Sequence, residues 1–205
     1  MAITFQYNKT SLQGLEKNLK MRVRALPTIK NKESALRLEV KRAKDEIIRL
    51  EKEVEQRIDA YDQMMALWGE FDTSLLRVDD VKMSVKKIAG VRVPVLDEVI
   101  YSTKPFSVFN APKWFADGFT QLKELAQVGI EREFCENKLH LLEYARKKTT
   151  QKVNLFEKVQ IPGYQDAIRK IKRFMEDEEN LSKSSQKIVK NKKAAQATNE
   201  QEENV

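Results

Sequence analysis

Residues 34–61 read SALRLEVKRAKDEIIRLEKEVEQRIDAY, and this stretch decides the fold. Its apolar residues recur at steps of three and four, which return to one face of an α-helix. They are Leu36, Val40, Ala43, Ile47, Leu50, Val54, Ile58 and Tyr61. Such a seam is typical of a helix that packs against a second helix in a coiled coil.

The seam extends outward from this stretch on both sides. Toward the N-terminus it continues through Leu12, Leu15, Leu19, Leu26 and Ile29, and toward the centre through Met65 and Trp68. Arg22 and Glu33 occupy seam positions, so we expect the seam to be weakest near the N-terminal end. Pro27 lacks a backbone N–H and predicts a kink near Ala25 or Leu26. The alternative is that the helix begins only after Pro27.

The central segment, residues 74–118, has a different pattern. It contains GVRVPVL, in which Val91, Val93 and Val95 alternate with Arg92 and Pro94 as in a short exposed strand. Proline confines such a strand to an edge or a hairpin. We therefore predict a small β-hairpin, which includes Gly90, Val91 and Pro94, at the far end of the helices and between short helical turns.

Helical periodicity returns from about Pro112 and continues to Ile188, with a second break expected at Pro162 and Gly163. Two long helices with one apolar stripe each most simply bury those stripes against each other. The predicted fold class is all-α: a long antiparallel two-helix coiled coil of the N- and C-terminal helices, with a small central insert that contains the β-hairpin. The predicted division is an N-terminal helix (1–73), the insert (74–118), a C-terminal helix (119–190) and a disordered tail (191–205).

The sequence offers little catalytic chemistry. No GxxxxGK[ST] phosphate loop is present, and His140 and Cys135 are the only histidine and the only cysteine. They are five residues apart and so point to different faces of a helix. The acidic runs at residues 79–80 and 176–179 are best interpreted as solvated helix surface. We therefore expect no catalytic residue, no cofactor and no metal.

Charge is distributed unevenly along the chain. Residues 1–44 hold eleven Lys and Arg against three acids, residues 45–143 thirteen against nineteen, and residues 144–205 fourteen against nine. Both ends are thus basic, while the middle is acidic, which suits an object with different partners at its two ends. No apolar run is long enough for a membrane helix, and no signal peptide precedes the first helix, so we expect a cytoplasmic protein without direct membrane insertion.

The strongest family resemblance lies in residues 153–162, VNLFEKVQIP. They match the pattern Val-Asn-x-x-Glu-x-Val-x-Ile-Pro of the D subunits of V-type and archaeal-type rotary ATPases, through Val153, Asn154, Glu157, Val159, Ile161 and Pro162. Residues 11–36 resemble the opening helix of that family, which ends here in Lys30, Lys32, Glu33, Ala35 and Leu36. The segment with Gly90, Val91 and Pro94 resembles its central Gly-Val-x-x-Pro. Pro27 and Gly163 depart from what a shaft helix usually contains.

What the resemblance implies is mechanical. Members of this family form the non-catalytic central shaft that couples ATP hydrolysis or synthesis in a hexamer to rotation of the membrane ring that translocates protons or sodium ions. The implied partners are the catalytic and non-catalytic subunits of the hexamer, the small F subunit of the central stalk, and a funnel-like subunit above the ring. The resemblance places the termini inside the hexamer and the middle toward the membrane, at the inner face of which the complex is peripheral.

Within that interpretation, basic side chains of the two ends are the candidates for contact with acidic loops of the hexamer. They are Lys17, Arg22, Arg24, Lys30, Lys32, Arg37, Arg146, Lys148 and Lys152. The alternative function is a basic coiled-coil scaffold or nucleic-acid-associated protein. Aromatic residues for base stacking are not interleaved with the basic runs, so we expect a protein partner and no nucleic acid.

Overall fold

The structure is a computed structural model that describes residues 3–61, 69, 75–104 and 114–202, with the backbone alone for residues 195–202. The described elements are helix α1 (Lys9–Tyr61), strands β1 (Leu76–Ile88) and β2 (Val91–Thr103), helix α2 (Phe115–Asn154), a π-helical turn (Leu155–Gln160) and helix α3 (Ile161–Glu202). The predicted fold class is confirmed: long N- and C-terminal helices are separated in the chain by a two-stranded antiparallel hairpin.

The chain divides into two compact units. Unit 1 consists of residues 1–30 and 151–205, and unit 2 of residues 31–150. In unit 1, Leu15 of α1 is buried against Ala167, Ile168 and Ile171 of α3. The two helix segments are antiparallel, since Lys30 pairs with Glu157 while the earlier residue Glu16 pairs with the later Lys172. In the N-terminal part of the seam, Leu15 is thus buried, and Leu12 and Leu19 are half-buried against the same cluster.

The N-terminal segment before α1 completes the core of unit 1. Ile3 and Phe5 pack against the same apolar cluster. Asn8 then caps the helix, because its side-chain oxygen accepts a hydrogen bond of 2.7 Å from the backbone N–H of Ser11. A side chain added at Gly163 would lie 3.1 Å from Ile3 Cδ1, so the glycine lets this segment approach α3 closely.

The core of unit 2 is one apolar cluster to which two helices and a strand contribute. Leu36, Val40 and Ala43 of α1 pack with Leu142 of α2, and Val93 of β2 joins them. Leu36, Leu142 and Val93 are completely buried. The helix segments are again antiparallel, because Lys44 pairs with Glu143 and Arg57 pairs with Glu124.

The hairpin differs from its prediction in length and position. Each strand has 13 residues. The base of the hairpin packs near the start of α2, where Leu76 contacts a cluster of Phe115 and Phe119. From there the strands run back along the helices, so that Ile88 and Val91 reach the Leu36 cluster. The predicted location at the far end of the helices is therefore wrong. The expectation of an exposed strand is also wrong, because Val93 is completely buried in the core.

The breaks predicted at the prolines have different outcomes. Helix α1 continues without interruption through Pro27, so the alternative that it begins after Pro27 is wrong. Near Pro162 the backbone does depart from the α-helix, as a π-helical turn that ends at Gln160. The backbone of α3 is helical to Glu202, so no helix end is seen at residue 190, where the sequence predicts the tail to begin.

Some predictions fall on residues outside the described ranges. Met65, Trp68 and the short helical turns expected beside the hairpin are among them. The division at residues 73, 118 and 190 stays a prediction.

Candidate partner-binding surfaces

Two of the candidate basic residues in unit 1 already have partners within the unit. Arg22 Nε donates a hydrogen bond of 2.7 Å to Gln160 Oε1, and its guanidinium lies 4.6 Å from the centre of the Tyr164 ring. Lys30 Nζ lies 2.8 Å from Glu157 Oε1. Both contacts join α1 to the C-terminal segment, so these two side chains are engaged within the unit.

The other candidates in unit 1 are exposed. Lys17 and Arg24 lie on α1, and Lys152 lies near the end of α2. No ion pair links any of the three to a carboxylate within the described ranges. Their charge therefore remains available to a partner.

The candidates in unit 2 are also divided. Arg37 pairs with Glu33 one helical turn away, at 2.9 Å. Lys148 Nζ lies 5.5 Å from the centre of the Tyr144 ring, and Arg146 is half-buried. Lys32 lies against the hairpin turn, where its Nζ would be 3.2 Å from a side chain added at Gly90.

The family motif coincides with the irregular part of the C-terminal helices. Residues 155–160 form the π-helical turn, and the N–H of Ile161 donates to the carbonyl of Phe156, five residues back. Pro162 explains this geometry, because its ring would clash with the carbonyl four residues earlier in a regular α-helix. Within the motif, Glu157 bonds Lys30, Asn154 and Val159 are exposed, and Val153 and Ile161 are half-buried.

The hairpin turn carries the second group of predicted residues. Ala89 and Gly90 both have positive φ, 46° and 80°, which is the signature of a two-residue type I′ turn. Glycine suits the second position because it lacks a Cβ, whereas alanine is strained at the first. Val91 packs against the Leu36 cluster, and Pro94 is half-buried in β2 opposite Val85.

The hairpin also presents a surface that the sequence prediction missed. Opposite residues in an antiparallel pair lie on the same face, and successive residues alternate between faces. Because Val93 is buried, the alternation places the pairs next to it on the opposite face of the hairpin. The β1 members of these pairs are exposed, whereas Pro94 and Leu96 of β2 are half-buried and line a cavity with Leu50 and Phe134 of the helices. We call the hairpin outer face the set of three such pairs: Met83 with Leu96, Val85 with Pro94, and Lys87 with Arg92. The alternation in KMSVKK is the signal that could have predicted it.

The described residues offer a poor setting for nucleophilic chemistry at Cys135. Burial raises the pKa of the Cys135 thiol, and Glu46 and Glu131 add to the rise against the opposing charge of Lys138. The neutral thiol is thereby favoured over the nucleophilic thiolate. His140 is exposed. Across the described ranges, no three His, Cys, Asp or Glu side chains are grouped as metal ligands would be.

The same part of the chain contains no helix with the length and apolarity to cross a membrane.

Comparison with known proteins gives one consistent family. The family model for the D subunit of ATP synthase matches residues 11–191. The V-type ATP synthase D subunit of Chlamydia muridarum is 27% identical over 197 residues, which cover 94% of this chain and 97% of the relative. Proteins of the same name from Chlamydia trachomatis and Borreliella burgdorferi are 28% and 29% identical, over 94% and 89% of this chain and 97% and 91% of the relatives. The chain belongs to the family of ATP synthase D subunits.

Proposed function

We propose that this chain is the central rotor shaft subunit of a V-type or archaeal-type ATP synthase. It would couple ATP hydrolysis or synthesis in the catalytic hexamer to rotation of the ion-translocating membrane ring. The observation that carries the proposal is the family match over residues 11–191, on a chain whose helices pair antiparallel within each unit.

The chemistry of the described residues fits a mechanical role. The paired helices bury aliphatic side chains, and their polar contacts serve to join helix to helix. A shaft needs stiffness and a patterned surface, and it needs no reactive group of its own. We therefore propose that the chain is non-catalytic and that ATP turnover occurs on other subunits.

The proposed partners are the catalytic and non-catalytic subunits of the hexamer, the small F subunit of the central stalk and a funnel-like subunit above the ring. The complex would be peripheral at the inner, cytoplasmic face of the membrane. Basic residues of the two chain ends would face acidic loops of the hexamer. Each exposed pair would contribute only about 0 to 1 kcal/mol, so that rotation meets no deep energy minimum.

Among the nine candidates, Lys17, Arg24 and Lys152 are the best suited to this contact. They are exposed, and no carboxylate or aromatic ring within the described ranges pairs with them. Lys32 and Lys148 also lack a carboxylate partner, but they lie against Gly90 and the Tyr144 ring. Arg22 and Lys30 would act indirectly, by keeping the helices of unit 1 together.

Affinity purification of the tagged chain from its native cell tests the assignment to a complex. We expect two large ATPase subunits and at least one small subunit to be recovered with it, in amounts that remain constant through a salt wash. Recovery of nucleic acid instead, with binding that weakens steeply as salt rises, would favour the alternative of a nucleic-acid-associated coiled coil.

Single-molecule observation tests the mechanical role directly. A bead attached to the chain in the immobilised complex should turn in one direction when ATP is added. The same bead attached to a subunit of the hexamer is the control and should remain still. A complex that hydrolyses ATP while the bead on this chain stays fixed would contradict the proposed rotor.

A further inference from the structure

The hairpin outer face changes in character along its length. The two pairs farther from the turn are apolar, Met83 with Leu96 and Val85 with Pro94, and the pair nearest the turn is doubly basic. Met83 and Val85 are 60% and 67% exposed. A flexible apolar side chain such as methionine is well suited to contact with another surface.

The basic pair is unusual within the hairpin. Lys87 and Arg92 are directly opposite, and like charges in that arrangement destabilise a strand pair. Lys82, by contrast, has Glu98 as its cross-strand partner at 2.7 Å. No carboxylate within the described ranges neutralises Lys87 or Arg92. The hairpin thus carries a local electrostatic cost that an external anion would relieve.

Three features favour a polypeptide as the source of that anion. The exposed side chains of Met83 and Val85 would be left in water by an inorganic phosphate. The one aromatic residue of the two strands, Tyr101, donates its hydroxyl to the carbonyl of Lys123 and is half-buried, so it is not presented for stacking on a base. The two-stranded sheet has no further strand among the described residues, and residues 82–87 of β1 are exposed, so the β1 edge suits an extended backbone.

We propose that the hairpin outer face binds a segment of another subunit in which acidic residues adjoin an aliphatic side chain. Carboxylates of that segment pair with Lys87 and Arg92, while its aliphatic side chain covers Met83 and Val85. This inference rests on the proposed function, because it takes the partner to be a subunit of the same ATP synthase. The proposed contact lies outside the basic residues predicted from the sequence.

Photo-crosslinking in the assembled complex tests the inference. The full chain carries p-benzoylphenylalanine at Val85, and a matched control carries it at Leu38, which is exposed on α1 in the same unit. We expect the Val85 probe, and not the Leu38 probe, to yield an adduct with a peptide of another subunit that is rich in Asp and Glu and contains an aliphatic residue.

The other outcomes distinguish the two hypotheses. If the complex is recovered but the Val85 probe gives no more adduct than the Leu38 probe, the docking face is wrong and the shaft function stands. Adducts with lipid or nucleic acid, or with a peptide that lacks acids, would equally overturn it. A chain recovered without ATPase subunits would overturn both the shaft function and this inference.

Charge reversal tests the electrostatic part. In the chain with the Val85 probe, Lys87→Glu combined with Arg92→Glu should reduce the adduct about tenfold. The matched control is Lys41→Glu with Lys52→Glu, two exposed positions on α1 of the same unit, and it should leave the yield unchanged. Circular dichroism of each variant checks that the helices are intact. Equal yields in the two variants would refute the role of the basic pair.

Discussion

Arg22 and Glu33 occupy seam positions that apolar side chains fill elsewhere in α1. Each has a polar partner on the facing helix of its own unit: Gln160 bonds Arg22, and the hydroxyl of Thr150 donates to Glu33 at 3.2 Å. The Glu33 side chain is only 14% exposed and also accepts from Arg37. Polar seam positions of this kind fix the register of paired helices at some cost in stability.

Replacement of Arg22 by alanine should therefore destabilise unit 1. The variant loses the hydrogen bond to Gln160 and the stacking on Tyr164, together worth about 1 to 2 kcal/mol. Lys17→Ala is the control, because Lys17 is exposed and unpaired in the described structure, and it should change stability by less than about 0.5 kcal/mol. Urea unfolding followed by circular dichroism measures both, and equal midpoints for the two variants would contradict the assigned role.

The turn residue Ala89 carries a strain that substitution can remove. Its φ of 46° is unfavourable for alanine, whereas asparagine tolerates this conformation at the first position of a type I′ turn. Ala89→Asn should raise the free energy of unfolding by about 0.5 to 1 kcal/mol, and Gly90→Ala should lower it by about 1 kcal/mol or more. Denaturant unfolding checks the opposite signs, and a loss of stability in Ala89→Asn would be the contrary result.

At the scale of elements, Pro27 and Pro162 each remove a backbone N–H from a helix, but they change the backbone in different ways. Before Pro162 the helix widens into the π-helical turn, which moves the clashing carbonyl away. Around Pro27 the α-helix is retained. The sequence predicts a perturbation at both positions, since the covalent structure of proline is local. Its form depends on packing against the other helix, which no local pattern contains.

Removal of the proline should stabilise α1. A proline in a helix interior costs about 3 kcal/mol relative to alanine, so Pro27→Ala should increase the free energy of unfolding by about 1 to 3 kcal/mol. The neighbouring Thr28→Ala, also exposed, is the control and should gain less than about 1 kcal/mol. Calorimetry would measure both changes. No gain from Pro27→Ala would mean that the surrounding packing already offsets the missing hydrogen bond.

Two features of the hairpin could not be predicted from the sequence: the extent of β1 and the packing of the strands against the helices. The VRVPV alternation predicts β2, whereas the alternation in β1 is limited to Val81, Met83 and Val85 and is bounded by charged pairs at residues 79–80 and 86–87, which obscure the ends of the strand. The path of the hairpin back along the helices depends on Val93 entering the Leu36 cluster, a contact between residues more than 50 positions apart. Such a contact leaves no local trace in the sequence.

On the scale of the whole molecule, heptad spacing was sufficient to predict the fold class, because a long apolar stripe on each of two helices leaves few ways to bury both. The candidate surface was less predictable. Sequence identifies cations, but it does not tell which of them have carboxylate or amide partners on a facing helix. Arg22 and Lys30 are in that class, whereas Lys17 and Arg24 are not.

Because Lys17 and Arg24 have no partner in the described structure, their substitution tests the proposed electrostatic contact with the hexamer. Lys17→Glu with Arg24→Glu reverses two exposed charges of the basic N-terminal end and breaks no ion pair of the described structure, so the helices should stay folded. If these side chains meet acidic loops of the hexamer, repulsion replaces attraction, and the ATPase rate of the assembled complex should fall several-fold, with a smaller deficit at high salt.

The matched control for this variant is Lys52→Glu with Arg77→Glu, two exposed positions in the acidic middle of the chain. It changes net charge by the same amount and should leave the ATPase rate near that of the unaltered complex. Circular dichroism of the isolated chains and the recovery of complex separate a folding or assembly defect from a coupling defect. Equal rates for the two variants, with assembly intact, would show that rotation does not depend on the basic N-terminal end, and the contact with the hexamer would then have to be apolar or lie elsewhere.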